Sequence, residues 1–121
     1  MTAYTESARN TDVLLSEAPG TLSRETVTIA TGQVLAAGTV LGTVTVGGEY
    51  KGFLGSRSDG SEVASAVLLY ATDTSNGAAL AVVITRLAEI KLPKIVWIAG
   101  STAPYIAAGT VSLADKNIII R

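Results

Sequence analysis

The sequence predicts a mainly β single domain with a small helical content and a flexible N-terminal arm. Three observations predict it. Apolar residues alternate with polar ones in short runs, the period of half-buried strands. Glycine-marked turns separate those runs. The first stretch of chain is polar and differs in composition from everything after it.

That first stretch, residues 1–22, is rich in Thr, Ser, Glu, Ala, Asn and Arg, with one apolar cluster at Val13, Leu14 and Leu15 and a Pro19-Gly20 step near its end. Such a segment buries little apolar surface against the entropy of ordering it. An ordinary frayed terminus is the plainer reading. The Val-Leu-Leu cluster favours an arm that binds something.

The domain is expected over residues 23–121. Thr26 to Ile29 alternates as a strand, and Thr39 to Val46 repeats the pattern with Val40, Val44 and Val46 on one face. Gly47-Gly48 fits a two-residue hairpin turn, because both positions accept positive φ, and Glu49 to Phe53 returns as the partner. Asp59-Gly60-Ser61 marks another turn. Val63 to Tyr70 is nearly continuously apolar and reads as a strand or, being Ala-rich, a short helix. Asn76-Gly77 is a hairpin signal, followed by the apolar run Ala78 to Ile84. Ile95 to Ile98 reads as one more short strand. Ser101 to Asp115 reads as a helix, with Ser101 or Thr102 as cap and Pro104 in the first turn. Ile106 and Leu113 share a face, and Gly109 is expected to shorten or break the helix at a cost of about 1 kcal/mol. The terminal Ile118-Ile119-Ile120 run is β-prone and expected to be paired or covered.

The composition excludes several kinds of function. At 48% hydrophobic and 16% charged residues there is apolar material for one core, and a net charge of −1 gives no basic footprint for nucleic acid. No apolar run reaches 18 residues, so no membrane span is expected, and the N-terminus lacks the apolar stretch of a signal peptide. A product made in the cytoplasm is the default. With no His and no Cys, an imidazole base, a Ser-His-Asp triad, a thiol nucleophile and a zinc-thiolate site are all impossible. Carboxylates are scattered. Asp59 and Glu62 are the one close pair outside the arm, and a solvated turn explains them better than an acid/base pair. Asp73 to Gly77 is a faint calcium-loop likeness, but position twelve is Ile84, where a Glu is required. Gly47 to Gly52 has phosphate-loop spacing, but Phe53 stands where Lys is needed. Lys91 and Lys94, either side of Pro93, read as exposed loop charges. Trp97, the single Trp, reads first as a core residue and second as a subunit contact. No metal or cofactor is called for, and no enzyme site is assembled.

One likeness runs in order along almost the whole chain. Its blocks are Leu22-Ser23-Arg24-Glu25-Thr26-Val27-Thr28-Ile29, Gly32-Gln33, and Leu35-Ala36-Ala37-Gly38-Thr39-Val40-Leu41-Gly42. They continue with Asp59 to Ala64, Val67 to Tyr70, Arg86 to Glu89, Val96 to Gly100 and Ile118 to Arg121. In these blocks the chain resembles the lambda-type head decoration proteins of tailed phages. The resemblance implies a β-clip-like fold with short helices and no enzyme activity. It implies a homotrimer on the outer surface of the expanded capsid, at threefold sites, stabilising the virion against packaged DNA without touching nucleic acid or membrane. The implied partner is the major capsid protein, to whose sheet the N-terminal arm adds a strand. Tyr4, Val13, Leu14, Leu15 and Leu22 are then the arm's expected capsid contacts, and deleting residues 2 to 20 is expected to abolish binding while leaving the domain folded. Such proteins often carry a long Ala-rich C-terminal helix, from which Gly109-Thr110-Val111 departs. The rival reading is a stand-alone β-clip carbohydrate- or ligand-binding module, since Leu35 to Gly42 also resembles the turns of such domains.

Overall fold

The computed structural model describes residues 10–121. Ten strands, a 3-10 turn and one helix follow in chain order: β1 (Leu14–Glu17), β2 (Arg24–Ile29), β3 (Val34–Leu35), β4 (Val40–Thr43), β5 (Tyr50–Gly52), β6 (Ala64–Leu68), β7 (Thr72–Asp73), β8 (Ala79–Ile84), β9 (Ala88–Ile90), the 3-10 turn (Leu92–Lys94), α1 (Ala103–Ala114) and β10 (Ile118–Ile120). The mainly β class with short helices is the one the sequence predicts.

Five strands, in the order β2-β5-β4-β6-β8, close into a barrel. β2 and β8 form its longest ladder, antiparallel from Arg24↔Ile84 to Ile29↔Ala79. The closing seam is short, a single parallel pair Ile29↔Tyr50. Beside the barrel, β1-β9-β10 make a three-stranded sheet and β3-β7 a two-stranded one. Two apolar clusters hold these layers together. Ile29, Leu41, Leu68 and Val83 belong to one. Val40, Val67, Ile84, Ile90, Leu113 and Ile118 belong to the other, which joins barrel, β9-β10 and helix.

Several expectations are met. Thr26 to Ile29 lies in β2 and Tyr50 to Gly52 returns from β4. The Val63 to Tyr70 run is the strand and not the helix, with every residue from Ala66 to Leu69 buried. Ile118 to Ile120 is paired, in parallel with β9.

Others are corrected. The Gly47-Gly48 connection is a four-residue loop, closed where the Val44 N–H donates to the Glu49 carbonyl at 2.8 Å. Both glycines do have positive φ, 91° and 73°. β4 ends at Thr43, so Val46 sits in that loop, 86% exposed, and leaves the face of Val40. At Asn76-Gly77 the Gly77 N–H donates to Thr74 O at 3.1 Å. The two apolar runs that it separates do pair antiparallel, as Val67↔Ile84 and Leu68↔Val83, though not as a tight hairpin, because β7 intervenes and pairs with β3. Ile95 to Ile98 is extended but makes one bridge, Thr39↔Val96. The helix runs unbroken through Gly109, because this glycine is where α1 meets the barrel. A Cβ there would lie 2.9 Å from Trp97 Cζ3 and 3.1 Å from Phe53 Cε1.

The largest correction concerns the arm. Residues 10–22 are not a free leader. Val13 is 1% exposed and belongs to the larger core cluster, and β1 pairs antiparallel with β9 through Leu14↔Ile90, Ser16↔Glu89 and Glu17↔Ala88. The boundary expected at residue 22 falls within the folded body. A deletion of residues 2 to 20 would therefore remove core packing and uncover β9, not leave the domain intact.

Candidate functional site

No catalytic centre assembles among the described residues. Among the described residues no three metal-ligating side chains group together, and no helix is long and apolar enough to cross a membrane. The close carboxylate pair behaves as a turn. Asp59 Oδ1 accepts from the Ser61 N–H at 3.0 Å and hydroxyl at 2.6 Å, and Glu62 accepts from the Gly60 N–H at 2.7 Å. Asp73 likewise accepts from the Ser75 N–H and hydroxyl, as in an Asx-turn. Lys51 and Ser61 hold the Asp59 carboxyl below the usual carboxylate range, and Ser75 does the same for Asp73. These depressed carboxyls are anionic acceptors, unsuited to act as acids near neutrality.

What the structure does assemble is a leader strapped to a sheet. The strap is built from charges as well as Val13. Asp12 lies 3.3 Å from Lys94 Nζ and 3.6 Å from Lys91 Nζ. Arg24 donates from Nε and Nη2 to the two Glu17 oxygens at 2.9 and 2.7 Å. Lys94 in first place lowers the Asp12 pKa, and Arg24 that of Glu17. Ser23, fully buried, accepts from the Ala18 N–H at 3.0 Å and donates to the Leu87 carbonyl at 2.8 Å. Leu87 itself takes φ 51°, an unfavourable region for a branched residue. Its carbonyl also accepts from the Ala18 N–H at 3.2 Å.

The five arm residues named from sequence therefore part company. Tyr4 lies outside the described residues. Val13 is core, and Leu14, opposite Ile90, is half-buried against it. Leu15 and Leu22 are exposed, at 49% and 56%. Trp97 is half-buried, meeting Phe53 edge to face with centroids 5.9 Å apart, in keeping with a core residue. Asp12, Glu17, Ser23 and Arg24 were not singled out from sequence. The one signal available was the opposite charge of Glu17 and Arg24 on either side of the Pro19-Gly20 turn. Lys91 and Lys94, read as plain loop charges, anchor Asp12.

In the strapped sheet, β1 is an edge strand. Its outward face carries Ser16, whose hydroxyl donates to Glu89 at 2.9 Å, beside half-exposed Ile119 and Arg121, which pairs with Glu89 at 3.0 Å. An edge strand whose outer side pairs with no other strand among the described residues, and which carries a mixed polar and apolar face, suits docking to another protein.

The family model described as bacteriophage lambda head decoration protein D matches residues 3–118. A search of curated proteins finds no match. The family match spans nearly the full chain, agrees with the absence of an assembled catalytic centre among the described residues, and sets aside the sugar-binding alternative. The chain belongs to the bacteriophage lambda head decoration protein family and is a non-enzymatic component of the phage head.

Proposed function

We propose that the protein binds the outer surface of the expanded head as trimers at threefold sites and stabilises the shell against packaged DNA. The family match over residues 3–118 is the observation that carries this reading. The partner is the major capsid protein. Stabilisation requires only that the protein bind the expanded shell better than the unexpanded or dissociated one.

The leader is the proposed capsid contact, through strand addition. β1 is already formed, with β9 on one side, so a strand of the capsid protein can add to the other side without undoing the strap. Main-chain hydrogen bonds would give adhesion and exposed Leu15 and Leu22 would give register. Tyr4 belongs to the same proposed contact. The part of Trp97 that Phe53 leaves uncovered is assigned to a neighbouring copy. Three leaders on one trimer make later contacts intramolecular, which raises avidity by about 10²–10⁴.

Co-sedimentation tests the proposal. The protein should pellet with expanded heads, saturating at three copies per threefold position, and should not pellet with unexpanded procapsids. Deleting residues 2–9 tests the leader without touching Val13 or β1. The Leu15→Glu variant tests the edge. Equal binding to procapsids would overturn the dependence on expansion. Wild-type saturation by both variants would overturn the leader contact.

A further inference from the structure

A recess of about 340 Å³ lies on the barrel, and the docking reading makes no use of its lining residues. Its walls come from distant parts of the chain. Thr43 ends β4, Ser65 lies in β6, Thr85 and Arg86 follow β8, and Lys116 follows α1. Glu25, in β2, is its one carboxylate.

The donors of this recess are incompletely used. The Thr85 Oγ1 is buried and has no hydrogen-bond partner, a state that ordinarily costs about 1–3 kcal/mol. Ser65 donates to the Leu41 carbonyl at 3.4 Å and accepts from Thr43 at 2.9 Å, so both of these protons are engaged. Arg86 gives one N–H to Glu25 and one to the Leu22 carbonyl, each at 2.8 Å, out of the five that a guanidinium carries. Lys116 has no ion pair among the described residues. Two cations and one carboxylate thus line the recess together with hydroxyls.

We infer that this recess binds a carboxylate. One surplus positive charge suits a monoanion, and Glu25 repels a second negative charge, which disfavours phosphate. The ligand oxygens take the free Arg86 donors, the Lys116 ammonium and the Thr85 hydroxyl. The carboxylate can come from an acidic side chain of a bound protein or from a free small acid, and the chemistry of recognition is the same.

Amide NMR of the full chain tests the inference, at fixed ionic strength with chloride as reference. The probes are acetate, inorganic phosphate, and a short blocked peptide bearing one Glu together with its Gln counterpart. Saturable shifts confined to Ser65, Thr85, Arg86 and Lys116 are expected with acetate and with the Glu peptide, and none with the Gln peptide. Acetate binding without peptide binding assigns the site to a free small acid. Lys116→Ala should weaken binding by about threefold, the size of an exposed ion pair. Thr85→Val should weaken it without loss of fold, because a methyl replaces an unpartnered hydroxyl. Shifts that stay linear, that spread over the surface, or that persist unchanged in both variants would overturn the site. Tighter binding of phosphate than of acetate would overturn the ligand class. Because no capsid enters the experiment, its failure leaves the docking proposal standing.

Discussion

Replacing Val13 by Ala asks directly whether the leader is part of the folded body. The side chain is 1% exposed and packs in the cluster that includes Val40, Ile90, Leu113 and Ile118. The substitution removes two buried methyl groups. At about 0.8 kcal/mol each the transfer cost is roughly 1.6 kcal/mol, and the cavity left behind raises the total to about 2–3 kcal/mol. For a chain of this size each kcal/mol lowers Tm by about 4 °C, so a drop of roughly 8–12 °C is expected. Urea unfolding should show a lower midpoint with little change in slope, as befits lost stability without a changed unfolded state. Leu15→Ala is the control, two residues on in the same leader but 49% exposed, and should cost no more than about 0.5 kcal/mol. If Val13→Ala is as silent as Leu15→Ala, the leader is not docked through Val13 and the folded boundary belongs back at residue 22.

Gly109→Ala gains about 1 kcal/mol of helix propensity but sets a Cβ 2.9 Å from Trp97. Overpacking costs about 1–3 kcal/mol, so net destabilisation near 1 kcal/mol is expected, larger for Gly109→Val, with a shift in the emission of the single Trp. Ser23→Ala leaves the Ala18 N–H with only its 3.2 Å bond to the Leu87 carbonyl and takes the hydroxyl donor from that carbonyl. It should cost about 1–3 kcal/mol in denaturant melts and speed amide exchange at Ala18. With carboxyls of Asp12, Glu17, Asp59 and Asp73 all lowered in the folded state, their stabilisation is present above the unfolded values near 4 and lost as pH falls through the folded ones. Thermal melts should therefore be nearly flat from about pH 5 to 7 and fall below about pH 4, and Glu17→Gln should make that fall shallower.

Sequence patterning reveals what neighbours in the chain decide. Alternation placed β2, composition ruled out histidine and cysteine chemistry, and the bare Ile118 to Ile120 run required a partner, which β9 supplies. Partners remote in sequence were not legible. The leader is polar on average, so composition reads it as unfolded, yet one valine in the core and two carboxylates on Lys94 and Arg24 suffice to seat it. Gly109 reads as a helix breaker because propensity is local, whereas the space it leaves is filled by Trp97 and Phe53 from elsewhere in the chain. For the same reason the recess beside Thr85 was invisible. Its six contributing segments are ordinary turn and strand residues until the barrel closes.

A docked leader changes the physics of the proposed capsid contact. A free arm of twenty residues would have to be ordered on the shell at roughly 1–2 kcal/mol per residue, and only strong avidity would overcome that. With β1 fixed on β9, residues 14–17 enter the contact already extended and in register, so their ordering cost has been met by Val13 and the ion pairs at folding. Undocking β1 to offer both of its edges would forfeit that packing, including the N–H of Lys91 on the Val13 carbonyl at 2.8 Å. Addition at the outer edge forfeits nothing. The two routes differ in two observables. Under edge addition, the Lys91 amide stays protected from exchange on the decorated head, and Val13→Ala weakens the fold more than it weakens binding. Under displacement, Lys91 loses protection on binding, and Val13→Ala, by loosening the strap, tightens the capsid contact.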